Sequence, residues 1–351
     1  MTETEDIKFM RRCIELAIKA EGFTFPNPMV GSVIVYEGKI IGEGYHLRSG
    51  ESHAEVNAIN SVSDKTKLKS SKLYVNLEPC SHFGKTPPCS DYIISNGIRR
   101  IVIGTTDTSE KVSGRGAKKL LDAGCEVKTG VVEAECRRLN RRFFTFHEKK
   151  RPYITLKWAQ SADGYLDIIR SDDHKPEPTW ITGKPERVLV HKWRASEQAI
   201  LVGAGTLRAD EPRLNVREWK GNDPLKLILS SSGFVRKASS FNDTDSRVVV
   251  FTHNSDAEIR NGVKVILEES EPSSVQISRY LYSCGIQSLF IEGGAEVFNH
   301  FISTGLWDEA RIFSGEDYFR NGVKAPLING ILSSKTFFSG SSLEIYLKNG
   351  S

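Results

Sequence analysis

Apolar residues at the start of the chain recur at helical spacing. Ile7, Met10, Ile14, Ala17 and Ile18 mark one face of an amphipathic helix over 6–20. Gly22 and the Pro26-Asn27-Pro28 turn close it. Two β-rich runs follow, 31–36 and 39–46, joined by Glu37-Gly38 as in a hairpin. Helix and strand patterns then alternate: a helix over 53–62, a strand over 72–78, a helix over 87–95 and a buried strand over 99–105. A helix over 117–123 stops at Gly124. A strand over 125–132 and a basic helix from Glu133 to about His147 complete the region. This order predicts helices packed on one mixed sheet.

The charged stretch His147-Glu148-Lys149-Lys150-Arg151-Pro152 breaks the pattern, which restarts with β-rich YITLKWA at 153–159. Helices are expected over 185–195, 273–284 and 295–303. Strands are expected over 199–203, 225–230, 247–253, 263–267, 288–294, 310–315 and 343–348. Two α/β domains, 1–147 and 148–351, account for this order, with long loops near 168–179 and 316–336 of the kind that often serve a site. A length of 351 residues agrees with two domains, each long enough for its own core.

Charge and composition exclude more than they assert. A net charge of +4 is too small and dispersed to indicate a nucleic-acid partner. The polar, acidic start MTETEDIKF predicts no secretory signal, and no apolar run nears the roughly 18 residues of a membrane span. Cys13, Cys80, Cys89, Cys125, Cys136 and Cys284 are too sparse for a disulfide framework. A reducing cytoplasm, with thiols available as metal ligands, is the expectation.

One cluster carries chemistry. His53-Ala54-Glu55 opens an expected helix, Pro79-Cys80 follows an expected strand, and eight residues separate Cys80 from Cys89. An imidazole and two thiolates make a three-donor set, leaving the fourth tetrahedral position open as a catalytic zinc requires. Zinc lowers the pKa of bound water toward roughly 7. Glu55, two residues past His53, can reach that water without ligating the metal and shuttle its proton to a ring nitrogen and a departing amine. The pattern matches the zinc-deaminase signature His-x-Glu…Pro-Cys-x-x-Cys, with a wider spacer between the cysteines. That spacer and the missing basic cluster argue against a nucleoside or nucleic-acid deaminase. A zinc-stabilised binding module is a further alternative, and it makes Glu55 dispensable.

The blocks PNPMVGSVIV (26–35), GEGYHLRSGESHAE (42–55), LEPCSHFGKTPPC (77–89), GRGAKKLLDAG (114–124) and NRRFF (140–144) go further. With them the chain resembles, over essentially its whole length, the bifunctional riboflavin-biosynthesis deaminase/reductase family. The resemblance implies a cytidine-deaminase-like three-layer domain followed by a dihydrofolate-reductase-like domain, with zinc and NADPH as cofactors. It implies a diaminopyrimidinone substrate bearing a phosphoribosylamino group. Asn27 and His46 would contact the base, and His82, Lys85 and Thr86 would hold the 5′-phosphate; a fixed cation beside a hydroxyl suits that group. The family usually shows Asp-Pro-Asn-Pro before the Gly-Arg-Gly block, where this chain has Asp107-Thr108-Ser109-Glu110.

In the second domain, Val202-Gly203-Ala204-Gly205-Thr206 invites a dinucleotide-fold reading, but Arg208 stands where the third glycine belongs. The blocks LKWAQSADGYL (156–166), WITG (180–183), 193–217 and FIEGGAEVFN (290–299) instead resemble the family's reductase half. By that resemblance Ala159, Trp180, Thr206, Asp210, Ser231 and the stretch from Gly294 would line NADPH. Thr179, Arg194, Leu214, Arg217 and Glu292 would face the substrate, with Arg194 and Arg217 as phosphate holders. Lys157 would polarise the ribose or its imine. The implied reaction is hydride transfer to C1′ of the ring-opened ribosylamine, with homo-oligomers expected. Ser230 stands where the family commonly has Asp, and 316–326 lacks the family's glycine-rich segment. These departures leave open that only one half is active.

Overall fold

A computed structural model describes residues 3–81, 87–109, 114–169, 177–233, 248–259 and 262–350. The chain divides into two compact units, Met1–Lys150 and Arg151–Ser351. Among the described residues, no helix is long and apolar enough to cross a membrane.

The first unit runs α1 (Glu3–Ile18), β1 (Gly31–Tyr36), β2 (Lys39–Tyr45), α2 (Ala54–Ser61), β3 (Lys72–Leu77), α3 (Cys89–Ser95), β4 (Arg100–Thr105), α4 (Arg115–Asp122), β5 (Glu126–Thr129), α5 (Glu133–Leu139) and α6 (Arg141–Lys149). Its sheet has the order β2-β1-β3-β4-β5. Strand β1 is antiparallel to both neighbours, whereas β3, β4 and β5 are parallel. Strands β2, β3 and β4 therefore point the same way and deliver their C-terminal loops to one sheet edge. Alternate side chains serve opposite faces. Ile34, Val75 and Ile103 pack under α2, α3 and α4 with Ile59, Ile93 and Leu120. Val33, Tyr74 and Val102 pack under α1 and α5 with Phe9, Met10 and Cys136. Covered on both faces, β1 reads as a nearly unbroken apolar run.

The single basic helix expected over 133–147 is two helices, broken at Asn140. The Asn140 side chain accepts from the Met29 N–H (2.8 Å) and donates to the Met29 carbonyl (2.9 Å). An asparagine that bonds backbone elsewhere interrupts a helix readily.

The second unit comprises β6 (Tyr153–Gln160), β7 (Tyr165–Asp167), α7 (Lys184–Ala195), β8 (Ala199–Gly203), α8 (Ala204–Asp210), β9 (Leu225–Leu229), β10 (Val248–Thr252), β11 (Val263–Ile266), α9 (Ser273–Ser283), β12 (Ser288–Gly293), α10 (Ala295–Ser303), β13 (Glu309–Gly315), β14 (Val323–Lys324), β15 (Gly330–Phe338) and β16 (Ser341–Lys348). Nine strands form one sheet in the order β11-β10-β9-β8-β12-β6-β13-β16-β15. It is parallel from β11 to β13 and antiparallel beyond. Leu156, Leu201 and Ile291 pack on one face with Ile277 of α9 and Phe298 of α10; Ile200, Val202 and Phe290 pack on the other with Val190 of α7.

The long loop expected over 316–336 is strand in part. Segment Val323–Lys324 pairs with β7, and β15 forms a hairpin with β16. The seven residues Ile331–Phe337 are all exposed, so β15 lacks the buried alternation that reveals a strand in sequence. Of the other expected loop, 168–179, residues 170–176 lie outside the described residues.

Candidate active sites

In the first unit, two asparagines set the turn that carries Asn27. Asn76 accepts from the Gly31 N–H (2.7 Å) and donates to the Met29 carbonyl (3.1 Å), while Asn140 grips Met29 from the other side. The Asn27 amide then donates to His46 Nε2 at 3.0 Å, and His46 Nδ1 donates to the Ser52 carbonyl at 3.2 Å. Burial, helped by the nearby His53, holds the His46 imidazole below its ordinary pKa, in the neutral form that can accept from Asn27.

His53 caps the N-terminus of α2, and Glu55 stands in that helix's first turn. Cys80 follows β3, and Cys89 is the first residue of α3, where backbone N–H groups and the helix dipole favour negative charge. His53 Nδ1 lies 3.2 Å from Cys89 Sγ and 3.6 Å from Cys80 Sγ. All three donor atoms fall within 4.8 Å of one another. Zn–N and Zn–S bonds of about 2.0 and 2.3 Å demand such spacing, so the set fits a tetrahedral zinc with one position left over.

The electrostatics agree. The Cys89 thiol donating to Cys80 is the main force that drives Cys80 down to about 4; burial opposes it, and His53 and the Cys89 N–H (3.3 Å) reinforce it. The same bond, together with burial and Glu55, pushes the Cys89 thiol up. Glu55 is 3% exposed, and burial first, then the Cys80 charge, raises its carboxyl above the usual range. A carboxyl shifted toward neutrality suits a proton shuttle. His82, Lys85 and Thr86 lie outside the described residues.

In the second unit, a cavity of about 740 Å³ opens at the C-terminal ends of the parallel strands, where open α/β sheets place their ligands. It collects Ala159, Thr179, Thr206, Asp210, Ser231, Glu292 and Gly294 of the expected residues, and Lys157. Gly293 has φ +144°, open only to glycine, and a Cβ on Gly294 would press to 3.1 Å from Thr206 Oγ1. These bare turns leave backbone free to meet a ligand. Burial first, with Arg194 assisting and Glu292 opposing, lowers the Lys157 pKa.

Four expected residues are not on the cavity wall. Arg194 is buried in a two-pronged ion pair with Glu292 (2.6 and 2.7 Å) and also donates to the Asn215 carbonyl. It thereby orients the Glu292 carboxylate. Leu214 is core. Exposed Arg217 donates to Asn215 Oδ1 at 2.5 Å, and exposed Trp180 carries the Arg187 guanidinium over its ring. The cavity wall also includes His253 and Ser273, which no motif marked, and Ser230, which the sequence marked only as a departure from the family's Asp. Ser230 and His253 each follow the end of a parallel strand, and that position was the available signal.

Two family models match the chain: the cytidine and deoxycytidylate deaminase zinc-binding region over residues 3–105, and the RibD C-terminal domain over 152–343. The chain is 40% identical to the riboflavin biosynthesis protein RibD of Aquifex aeolicus, across 91% of this chain and 89% of that protein. The RibD protein of Escherichia coli is 33% identical, across 88% and 87%. A crystal structure of a diaminohydroxyphosphoribosylaminopyrimidine deaminase/5-amino-6-(5-phosphoribosylamino)uracil reductase from Thermotoga maritima matches with a TM-score of 0.88 at 37% identity, covering 99% of each chain.

Proposed function

The chain belongs to the RibD family of riboflavin-biosynthesis enzymes, and from that premise we propose that it converts 2,5-diamino-6-(5-phosphoribosylamino)pyrimidin-4(3H)-one in two steps. It is a bifunctional deaminase and reductase with zinc and NADPH as cofactors. The first unit exchanges the ring amine for oxygen, releasing ammonia; the second reduces the ribosyl group to a ribityl chain. The observation that carries the reading is the His53–Cys80–Cys89 donor set with buried Glu55 beside it.

Held by His53, Cys80 and Cys89, zinc would supply Lewis acidity toward a water molecule. Glu55 would take a proton from that water on a carboxylate oxygen and pass it to the ring nitrogen, then take the second proton from the hydroxyl added at the ring carbon and give it to the departing amine, which leaves as ammonia while the carbonyl forms. Asn27 and His46, locked to each other, orient the base, while His82, Lys85 and Thr86 take its phosphate.

In the reductase, bound NADPH would supply the hydride for reduction at C1′ of the opened ribosylamine. The glycine turns after β8 and β12, with Ala159, Trp180, Thr206, Asp210, Ser231 and Gly294, receive the cofactor. Lys157 polarises the C1′ centre, Glu292 holds the substrate beside it, and Arg194 keeps Glu292 charged and aimed. Thr179 completes the substrate side. We place both activities in the cytoplasm, in a self-associating chain with one domain on each side of the 147–152 stretch.

Assaying ammonia release and NADPH oxidation separately tests this. Both are expected, the second only with the deaminated product as substrate. Deamination without NADPH oxidation would restrict the enzyme to its first unit.

A further inference from the structure

Among the described residues, the buried Glu78 carboxylate, two residues before Cys80, has no cation as a hydrogen-bond partner. It accepts four backbone N–H bonds: Oε2 from Asp107 (3.1 Å) and Gly114 (3.0 Å), Oε1 from Gly116 (2.8 Å) and Ala117 (3.0 Å). Gly116 and Ala117 begin α4, and their amides belong to the unpaired set at any helix start. Those two bonds cap α4. The bond from Gly114 seats the N-cap residue of α4, whereas the bond from Asp107 does nothing for the helix and ties the segment after β4 to the residue preceding Pro79-Cys80.

Two further contacts tighten this arrangement. A Cβ on Gly116 would collide with the Pro79 carbonyl oxygen, so only glycine lets α4 approach so closely. Farther along α4, Lys119 pairs with Asp91 of α3 at 2.6 Å, two residues past Cys89. The start of α4 is thus moored to both loops that supply thiolates. Asp107 in turn accepts from the Ser109 N–H at 2.7 Å, fixing the first residues beyond β4. Because β2, β3 and β4 point the same way, these residues share a sheet edge with His46 and Cys80.

We propose that Glu78 is a positioning residue for deamination, holding Asp107–Ser109 against the zinc loop so that the pyrimidine meets a preformed wall. This rests on the deaminase reading above. The Glu78→Gln variant keeps the shape but turns one acceptor into a donor facing two N–H groups. It is expected to retain zinc and full reductase turnover, while the deaminase KM rises about tenfold or more and kcat changes less than about threefold. The amides of Gly114, Gly116 and Ala117 should exchange faster with deuterated solvent. Lowered thermal stability with an unchanged KM would overturn the proposal, leaving Glu78 a structural clamp alone. If Glu78→Gln does not accumulate as folded zinc enzyme, Gly116→Ala carries the test by the same KM criterion, since it pushes α4 from Pro79 and leaves the carboxylate intact. Wild-type enzyme that releases no ammonia would overturn the deaminase reading and this inference together.

Discussion

In the first unit, the three metal donors lie within 36 positions of one another, and each contributes a side chain whose identity is its chemistry. In the second, the cavity gathers strand ends and helix starts from Lys157 to Val323, and much of what a cofactor meets there is bare backbone at Gly203, Gly205, Gly293 and Gly294. The first site works through a few irreplaceable atoms. The second works through shape, with wall charges such as Lys157, Asp210 and Glu292 spread over several segments and Arg194 buried behind Glu292. Single substitutions should therefore silence the first site abruptly and degrade the second by degrees.

The largest effect expected is from Glu55→Gln. Ammonia release falls about 10³-fold, in the range for a lost general acid–base, while bound zinc and NADPH oxidation persist. Normal deamination by this variant would make the zinc site structural and erase the contrast. Lys157→Met comes next, with reductase kcat down about 10²-fold. Burial lowers the Lys157 pKa, so the ammonium form is lost as pH rises through a value below the roughly 10.4 of free lysine. The alkaline limb of the reductase pH profile should lie below that value and be absent in the variant.

The smallest effect concerns stability. Burial opposes the charge on Asp6, but the Tyr74 hydroxyl (2.7 Å), Lys128 (2.9 Å) and Lys72 (3.3 Å) outweigh it and hold its carboxyl below the ordinary range. The stabilisation is complete above the unfolded pKa of about 3.9 and disappears as pH falls through the lower folded value. Asp6→Asn should cost about 2 kcal/mol at pH 7. The gap between its stability and that of the wild type should begin to narrow below about pH 4 and close only below the lowered folded pKa. A constant gap across pH would show that the charge is not the source.

The contrast also explains what the sequence disclosed. His53, Glu55, Cys80 and Cys89 were legible because few alternatives place an imidazole, a carboxylate and two thiols at such spacing. Glu78, Asn76 and Asn140 were not, because they act on backbone amides supplied by segments distant in the chain. The parallel core of the second unit was legible from short apolar runs such as AILVG, buried at every position. Strand β15 escaped because its solvent-exposed residues carry no period. Arg194 read as a phosphate holder, since sequence cannot tell that Glu292, 98 positions on, occupies its guanidinium. Residue type names a capacity, and packing decides where it is used.

Zinc removal read in both activities at once tests the central claim most directly. Dialysing the enzyme against a chelator should abolish ammonia release, leave NADPH oxidation on the deaminated substrate intact, and restore ammonia release on zinc return. Ammonia release that survives complete loss of zinc would contradict the account.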